Sequence, residues 1–288
     1  MLIYLGKCFS FVPMSLFITS LNSGSNGNCY YIGNETEAVL VDAGISCKEI
    51  EKRLARLNLN MRTIKGIFIS HEHSDHIKGL SNLSKKYQLP VYITKKTLDN
   101  GRIALEKQLV VYFEAHEKIQ IGNLSITSFP KRHDACDPYS FSISCNEMNV
   151  GVFTDIGTPC IHLISHFQKC HAAFLESNYD TTMLVNGNYP YHLKKRISGG
   201  NGHLSNAQAL EIFQNHRPPF MKYLFLAHLS KNNNCPDLVS RLFNDCACGV
   251  EIIVASRYEE SKVYELKDTE NSSRKIRKAV MQMELDFG

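Results

Sequence analysis

No Cys-x2-Cys pair occurs in the 288 residues, although ten cysteines are scattered through them. A thiolate zinc site therefore has no support. There is no export signal with a small-residue cleavage site, so a disulfide framework is not expected. The cysteines read as small buried apolar residues of a cytoplasmic protein. No apolar run approaches the ~20 residues that span a bilayer. The apolar start MLIYLGKCFSFVP is too short for that, and no membrane association is expected. Residues 1–13 read as an N-terminal extension ahead of the better strand pattern from Met14 onward. Internal repeats and Pro/Gly-rich linkers are also missing. That leaves one domain over 14–265 and a charged C-terminal tail over 266–288. A net charge of +4 permits an anionic substrate without demanding one.

What is present is a soluble globular composition, 43% apolar and 21% charged. Short apolar strands are expected over 15–20, 29–32, 38–41 and 66–70. The turn formers of 22–28 join the first pair as a hairpin. Helical periodicity covers 46–57, with Ile50, Leu54 and Leu57 on one face, and a second helix covers 77–87. Strands then follow over 90–94, 108–113, 118–121, 124–129, 139–145 and 149–154. Short strands at 173–176, 223–226 and 251–255 alternate with helices over 205–215 and 236–243. So many strands with few helices argue for sheets packed face to face.

One segment stands apart: His71-Glu72-His73-Ser74-Asp75-His76, directly after a buried strand. His71 and His73 alternate and can point to one side of an extended loop. Asp75 and His76 open a helix and can face the same point from another angle. Imidazoles suit zinc or iron, and a carboxylate adds a harder ligand. Without a metal, such clustering gains nothing.

His71-x-His73-x-Asp75-His76 resembles the signature of the metallo-β-lactamase superfamily. Further positions fall in that superfamily's order: Asp42 in VDAG, His133 in PKRHD, Asp155 in FTDIG and His228 in LAHLS. The resemblance implies an α+β fold, an αββα sandwich of two packed mixed sheets flanked by helices. It implies two divalent metals, zinc first and manganese as the alternative, with a metal-bridged hydroxide as nucleophile. His71, His73 and His133 would hold one metal. Asp75, His76 and His228 would hold the other, and Asp155 would bridge them. Asp42 would support the site from behind, and Glu176 is a second candidate for such support.

The resemblance also narrows the reaction. Class B β-lactamases usually carry Cys where Asp155 stands. Gly202-His203-Leu204-Ser205 is similar to the Gly-His-Ser motif of RNase Z, which makes His203 a candidate for stabilising or protonating at the scissile phosphate. Asp75 and His203 are the catalytic candidates. His192, Lys194, Lys195 and Arg196, beside Tyr189 and Tyr191, form a basic patch that could hold backbone phosphates. Ser205 would cap the helix after it and is the remaining substrate-binding candidate. Together with SGSNGNC (23–29), LESN (175–178) and AHLSKNNN (227–234), these motifs resemble the YycJ/WalJ group of the superfamily. That implies a DNA exonuclease acting from the 5′ end, with DNA as partner and a homodimer permitted. A small-molecule hydrolase, either a cyclic phosphodiesterase or a glyoxalase II-type thioesterase, is the second reading. A regulator that keeps metals only for folding is the third. No long insertion of the β-CASP kind interrupts the chain, so an RNase J-like architecture is not expected.

Overall fold

The central strands are apolar on both faces, and the architecture follows from that. In the computed structural model, which describes residues 15–267, the first half contains β1 (Ser15–Asn22), β2 (Cys29–Gly33), β3 (Ala38–Val41), α1 (Cys47–Arg56), β4 (Ile64–Phe68), α2 (Ser74–Ile77), α3 (Leu80–Tyr87), β5 (Val91–Ile93), α4 (Lys95–Asn100) and β6 (Val110–Tyr112). The second half contains β7 (Lys118–Ile121), β8 (Leu124–Pro130), β9 (Tyr139–Cys145), β10 (Met148–Phe153), α5 (Ile161–Phe167), β11 (Ala172–Glu176), α6 (Thr181–Asn186), α7 (Tyr191–Ser198), α8 (Asn206–His216), β12 (Tyr223–Ala227), α9 (Pro236–Asn244), β13 (Glu251–Val254) and β14 (Tyr264–Lys267).

The strands form two seven-stranded sheets, ordered β14-β1-β2-β3-β4-β5-β6 and β13-β12-β11-β10-β9-β8-β7. Both are mixed. β3 to β6 run parallel, as do β10 to β13, and the other pairings are antiparallel. Period-two alternation assigns each side chain to a layer. Leu16, Ile18, Val39, Val41, Val150, Val152 and Phe174 meet between the sheets. Leu21, Ala38 and Leu40 face outward onto Ile50, Leu54, Leu80 and Leu83 of α1 and α3. On the far side Phe153, Ala173 and Leu175 pack on α5, α8 and α9 through Phe167, Phe213 and Phe243. Strands covered on both faces read as continuous apolar runs, as in AVLV of β3 and AAFLE of β11. The αββα expectation therefore holds.

Several local features differ from the sequence reading. Helices α2, α4, α5 and α6 have at most seven residues, too short to print a two-turn period. Leu266 and Lys267, assigned to the tail, belong to β14, which pairs with β1 from Ser15↔Lys267 to Ile18↔Tyr264. The expected extension over 1–13 and the tail beyond Lys267 lie outside the described residues. Among the described residues no helix is long and apolar enough to cross a membrane.

Parallel strands place their carboxyl ends together. Asp42 follows β3, Ser70 and His71 follow β4, Asp155 follows β10, Glu176 ends β11 and His228 follows β12. The site is therefore assembled along one edge of the sandwich, where such crevices form in open α/β sheets.

Candidate metal centre

The hexapeptide is held by its backbone before its side chains do anything. Asn28 N donates to Asp75 O at 2.7 Å, Ala43 N to His76 O at 2.8 Å and Gly79 N to Ala43 O at 2.8 Å. The approach is so close that a Cβ on Gly44 would lie 1.6 Å from Asp75 O, so only glycine fits there. Asp42, Asp155 and His228 have φ of 61°, 56° and 57°. For such residues the left-handed region costs about 1–2 kcal/mol each. Backbone strain of this kind clusters at functional sites.

The seven residues expected to ligate metals come together. Ligand atoms of His71, His73 and His133 lie within 4.8 Å of one another, and so do those of Asp75, His76 and His228. Asp155 sits between the groups, with Oδ2 3.2 Å from His76 Nε2 and Oδ1 3.8 Å from His133 Nε2. Oδ1 is also 3.5 Å from His228 Nδ1. Both catalytic candidates, Asp75 and His203, line the same cleft, which has a volume of about 230 Å³.

Four of the five candidate imidazoles are oriented from behind. His76 Nδ1 is 2.7 Å from Asp42 Oδ2. Asp42 also accepts from Ser70 N and Ser70 Oγ at 2.8 Å each, and Ser70 Oγ is 2.9 Å from His71 Nδ1. His133 Nδ1 lies 3.0 Å from Gly202 O, and His228 Nδ1 lies 2.9 Å from Glu176 Oε1. The opposite ring nitrogens of His71 and His228 are buried without a hydrogen-bond partner, and so is Asp155 Oδ2. Buried polar atoms are almost always paired. Unpaired atoms on converging His and Asp side chains, with the far ring nitrogen already engaged, are what a metal site requires. The residues fit divalent cations.

Electrostatics point the same way. Burial opposes charge on His76, but Asp155, Asp42 and Asp75 outweigh it and push its pKa up to about 10. Burial likewise works against charge on His228, and Asp155, Asp75 and Glu176 hold it well above the usual range. Burial would raise Glu176, yet His203 and the bond with His228 hold it at about 2. The cage is thus built around ionised carboxylates and attracts positive charge.

Glu176 is a hub that the sequence only hinted at. Its Oε1 meets His203 Nδ1 at 2.8 Å as well as His228, and its Oε2 accepts from Ile156 N at 2.7 Å and Leu204 N at 3.0 Å. His203 is thereby aimed into the cleft beside Asp155, 3.7 Å away.

The basic patch divides between two hollows. On α7, Arg196 faces the cleft with Leu193, Ile197 and the preceding Tyr189. It is ion-paired to Asp134 beside His133. Lys194 and Lys195 line a separate hollow with Tyr191, and Lys194 Nζ is tied to Val185 O at 2.6 Å. His192 is exposed. Ser205 is 5% exposed, and its hydroxyl is committed to the capping box of α8 with Gln208. Of the substrate-binding candidates Arg196 lines the cleft, while His192, Lys194, Lys195 and Ser205 are not among its lining residues. Helix docking turned one face of α7 inward, and the cap claimed the serine.

Sequence reasoning missed Ser70, Asn28 and Lys131. Asn28 Nδ2 is 3.2 Å from Asp75 Oδ2 and 3.1 Å from His76 Nε2. Lys131 is buried, with Nζ on Thr154 O at 2.7 Å. Asn28 and Lys131 lie inside the motifs SGSNGNC and PKRHD without being singled out there, and Ser70 immediately precedes His71.

Comparison with known proteins agrees with this geometry. The family model described as the metallo-beta-lactamase superfamily matches residues 23–172. Exodeoxyribonuclease YycJ of Bacillus anthracis is 35% identical over 246 residues, covering 82% of this chain and 92% of that protein. Exodeoxyribonuclease WalJ of Streptococcus pneumoniae is 33% identical over 223 residues, covering 76% and 83%. The metallo-beta-lactamase fold protein YhfI of Bacillus subtilis superposes with a TM-score of 0.68 at 17% identity, covering 88% of this chain and all of that one. With the αββα sandwich, the His/Asp cage and these likenesses together, the chain belongs to the metallo-β-lactamase superfamily, whose fold binds divalent metal.

Proposed function

We propose that the protein is a metal-dependent phosphodiester hydrolase that acts on DNA as an exonuclease. The observation that carries this reading is the pair of ligand groups meeting across Asp155, with a second histidine, His203, held at the same cleft by Glu176. The likeness to two exodeoxyribonucleases over most of both chains supports DNA as substrate. Polarity from the 5′ end is part of the proposal.

His71, His73 and His133 would hold one cation, Asp75, His76 and His228 the other, and Asp155 would reach both. When bound, the cations supply Lewis acidity toward a phosphoryl oxygen and a nucleophile from water at neutral pH. Nitrogen-rich donor sets favour zinc, with manganese the alternative. Glu176 accepts from His203 Nδ1–H, and when the ring carries a proton on each nitrogen its Nε2–H faces substrate. From there His203 stabilises the charge on the phosphoryl group or protonates the leaving oxygen. Arg196 supplies the cleft's own cation and can exchange Asp134 for a backbone phosphate. The nine described cysteines are unpaired, which fits the cytoplasm as the setting.

The test is cleavage of end-labelled single- and double-stranded DNA with zinc, manganese or chelator present. The expected result is metal-dependent shortening from one end that is lost in Asp75→Ala. His203→Ala is expected to slow cleavage by about 10²–10⁴-fold while bound metal stays at the wild-type level. Loss of metal in that variant would sink the role given to His203. Intact DNA alongside hydrolysis of a thioester in the same buffer would sink the nuclease reading.

A further inference from the structure

Beside the metal cleft lies a second pocket of about 240 Å³. Ser230 lines both. Ser23, which accepts the backbone N–H of His228 at 2.7 Å, also forms part of its wall. The two spaces are therefore neighbours across Ser230, on the side of the centre where His228 sits.

The chemistry of the lining differs from that of the cleft. The floor is apolar: Leu229, Pro236, Val254 and Ala255. The rim carries Lys231, Arg257 and Tyr258, and no acidic residue contributes. Arg257 Nη1 is buried without a hydrogen-bond partner, which is costly unless an anion or acceptor satisfies it. The Tyr258 side chain stands on the lip, with the residue 70% exposed. The volume lies below the ~300–1,000 Å³ of sites for drug-sized ligands, so it suits one flat ring system.

The loop bearing Arg257 and Tyr258 is held in place in advance. Ser23 N donates to Ser256 O at 3.0 Å, and Asn26 Nδ2 donates to Arg257 O at 2.8 Å. The buried Arg53 donates through Nη2 to Tyr258 O at 2.9 Å and through Nη1 to Leu21 O at 2.6 Å. Arg56 grips Glu260 through two bonds of 2.6 Å. A surface loop tied at this many points serves as a preformed wall and loses little freedom when a ligand arrives.

Resting on the reading of the metal cleft as a phosphodiesterase site, we propose that this pocket seats the base of the nucleotide next to the scissile phosphate. Arg257 and Lys231 hold that nucleotide's backbone phosphate, and Tyr258 stacks on the base. An apolar floor with serine and asparagine at its edges accepts any base without reading its identity, as suits an enzyme that removes nucleotides in succession.

The test measures binding of a phosphorothioate-linked oligothymidylate, which resists hydrolysis, to the full chain supplied with manganese. An abasic strand of equal length and linkage is the comparison. Tyr258→Ala is expected to weaken binding of the oligothymidylate by about fivefold or more and to leave the abasic strand unaffected. Arg257→Gln is expected to weaken both. The exposed position of Tyr258 makes its variant safe for folding. If the unmodified protein cuts ordinary DNA while both variants bind like it, the base seat is overturned and the nuclease reading stands. If Tyr258→Ala is silent and Arg257→Gln weakens both strands, the pocket takes phosphate without base and the proposal fails. If the unmodified protein leaves DNA intact, the underlying reading fails first.

Discussion

At the scale of single residues, Glu176 does more than its place at a strand end suggests. One carboxylate orients His203 and His228 and accepts two backbone N–H groups, from Ile156 and Leu204. Glu176→Gln keeps the shape but turns one acceptor oxygen into a donor. Losing such support typically costs 10–100-fold in metal affinity or activity, and about that loss of metal affinity is expected here. A competition titration with a chromogenic chelator measures it, with circular dichroism to show the fold intact. A second residue lies away from the site. His166 stacks on Phe129 with centroids 4.1 Å apart, and burial, with Lys169, His116 and His162 nearby, lowers its pKa to about 4. The unfolded value lies near 6.5, so the unfolded chain binds the extra proton first. The neutral ring's contribution is complete above that value and is lost as pH falls towards 4. His166→Phe should keep the stack and flatten the decline of Tm over that window; an unchanged slope would contradict it.

The candidate metal ligands were readable because chemistry leaves few other uses for such a cluster. His71, His73, Asp75 and His76 sit within six positions, and Asp42, His133, Asp155 and His228 became legible only through their order. Ser70, Asn28 and Lys131 were not, since a serine, an asparagine or a lysine has many ordinary uses. Only tertiary contacts reveal that these three hold the cage.

At the scale of elements, the strands showed themselves through period-two apolarity, and helices of two or more turns through their apolar stripe. Helix α7 illustrates where that stops. Its sequence announces positive charge and aromatics, but which side faces the cleft is decided by docking. Arg196→Ala should therefore raise KM for DNA, and Lys195→Ala should not. A steady-state comparison at one salt concentration checks the contrast, since phosphate contacts are screened by salt. Ser205 makes the complementary case. Its side chain accepts from Gln208 N in a reciprocal capping box, so Ser205→Ala should cost about 1 kcal/mol of stability. Its KM should stay at the wild-type value, and a rise without loss of Tm would return the serine to the substrate.

At the scale of the whole molecule, the two sheets converge on the edge where four carboxylates, Asp42, Asp75, Asp155 and Glu176, are buried or nearly so. Cations that bind only the folded cage stabilise it by mass action. A metal concentration about a hundredfold above Kd adds ~2.7 kcal/mol, or roughly 5–10 °C in Tm for a chain of this size. Differential scanning calorimetry with and without chelator should show that drop, and Asp75→Ala should show less of it.

The pairing of β1 with β14 has a mechanical consequence. Ser15 and Lys267 are partners at the outer end of the ladder, and Ile18 with Tyr264 at the inner end. A pull that separates Ser15 from Lys267 loads those hydrogen bonds one at a time, like a zipper, instead of shearing them together. The first strand to peel is then β14, while the loop that carries Arg257 and Tyr258 stays tied to Ser23, Asn26 and Arg53. The hexapeptide, clamped to β2 and β3 through Asn28 and Ala43, lies deeper along the line of force and yields later.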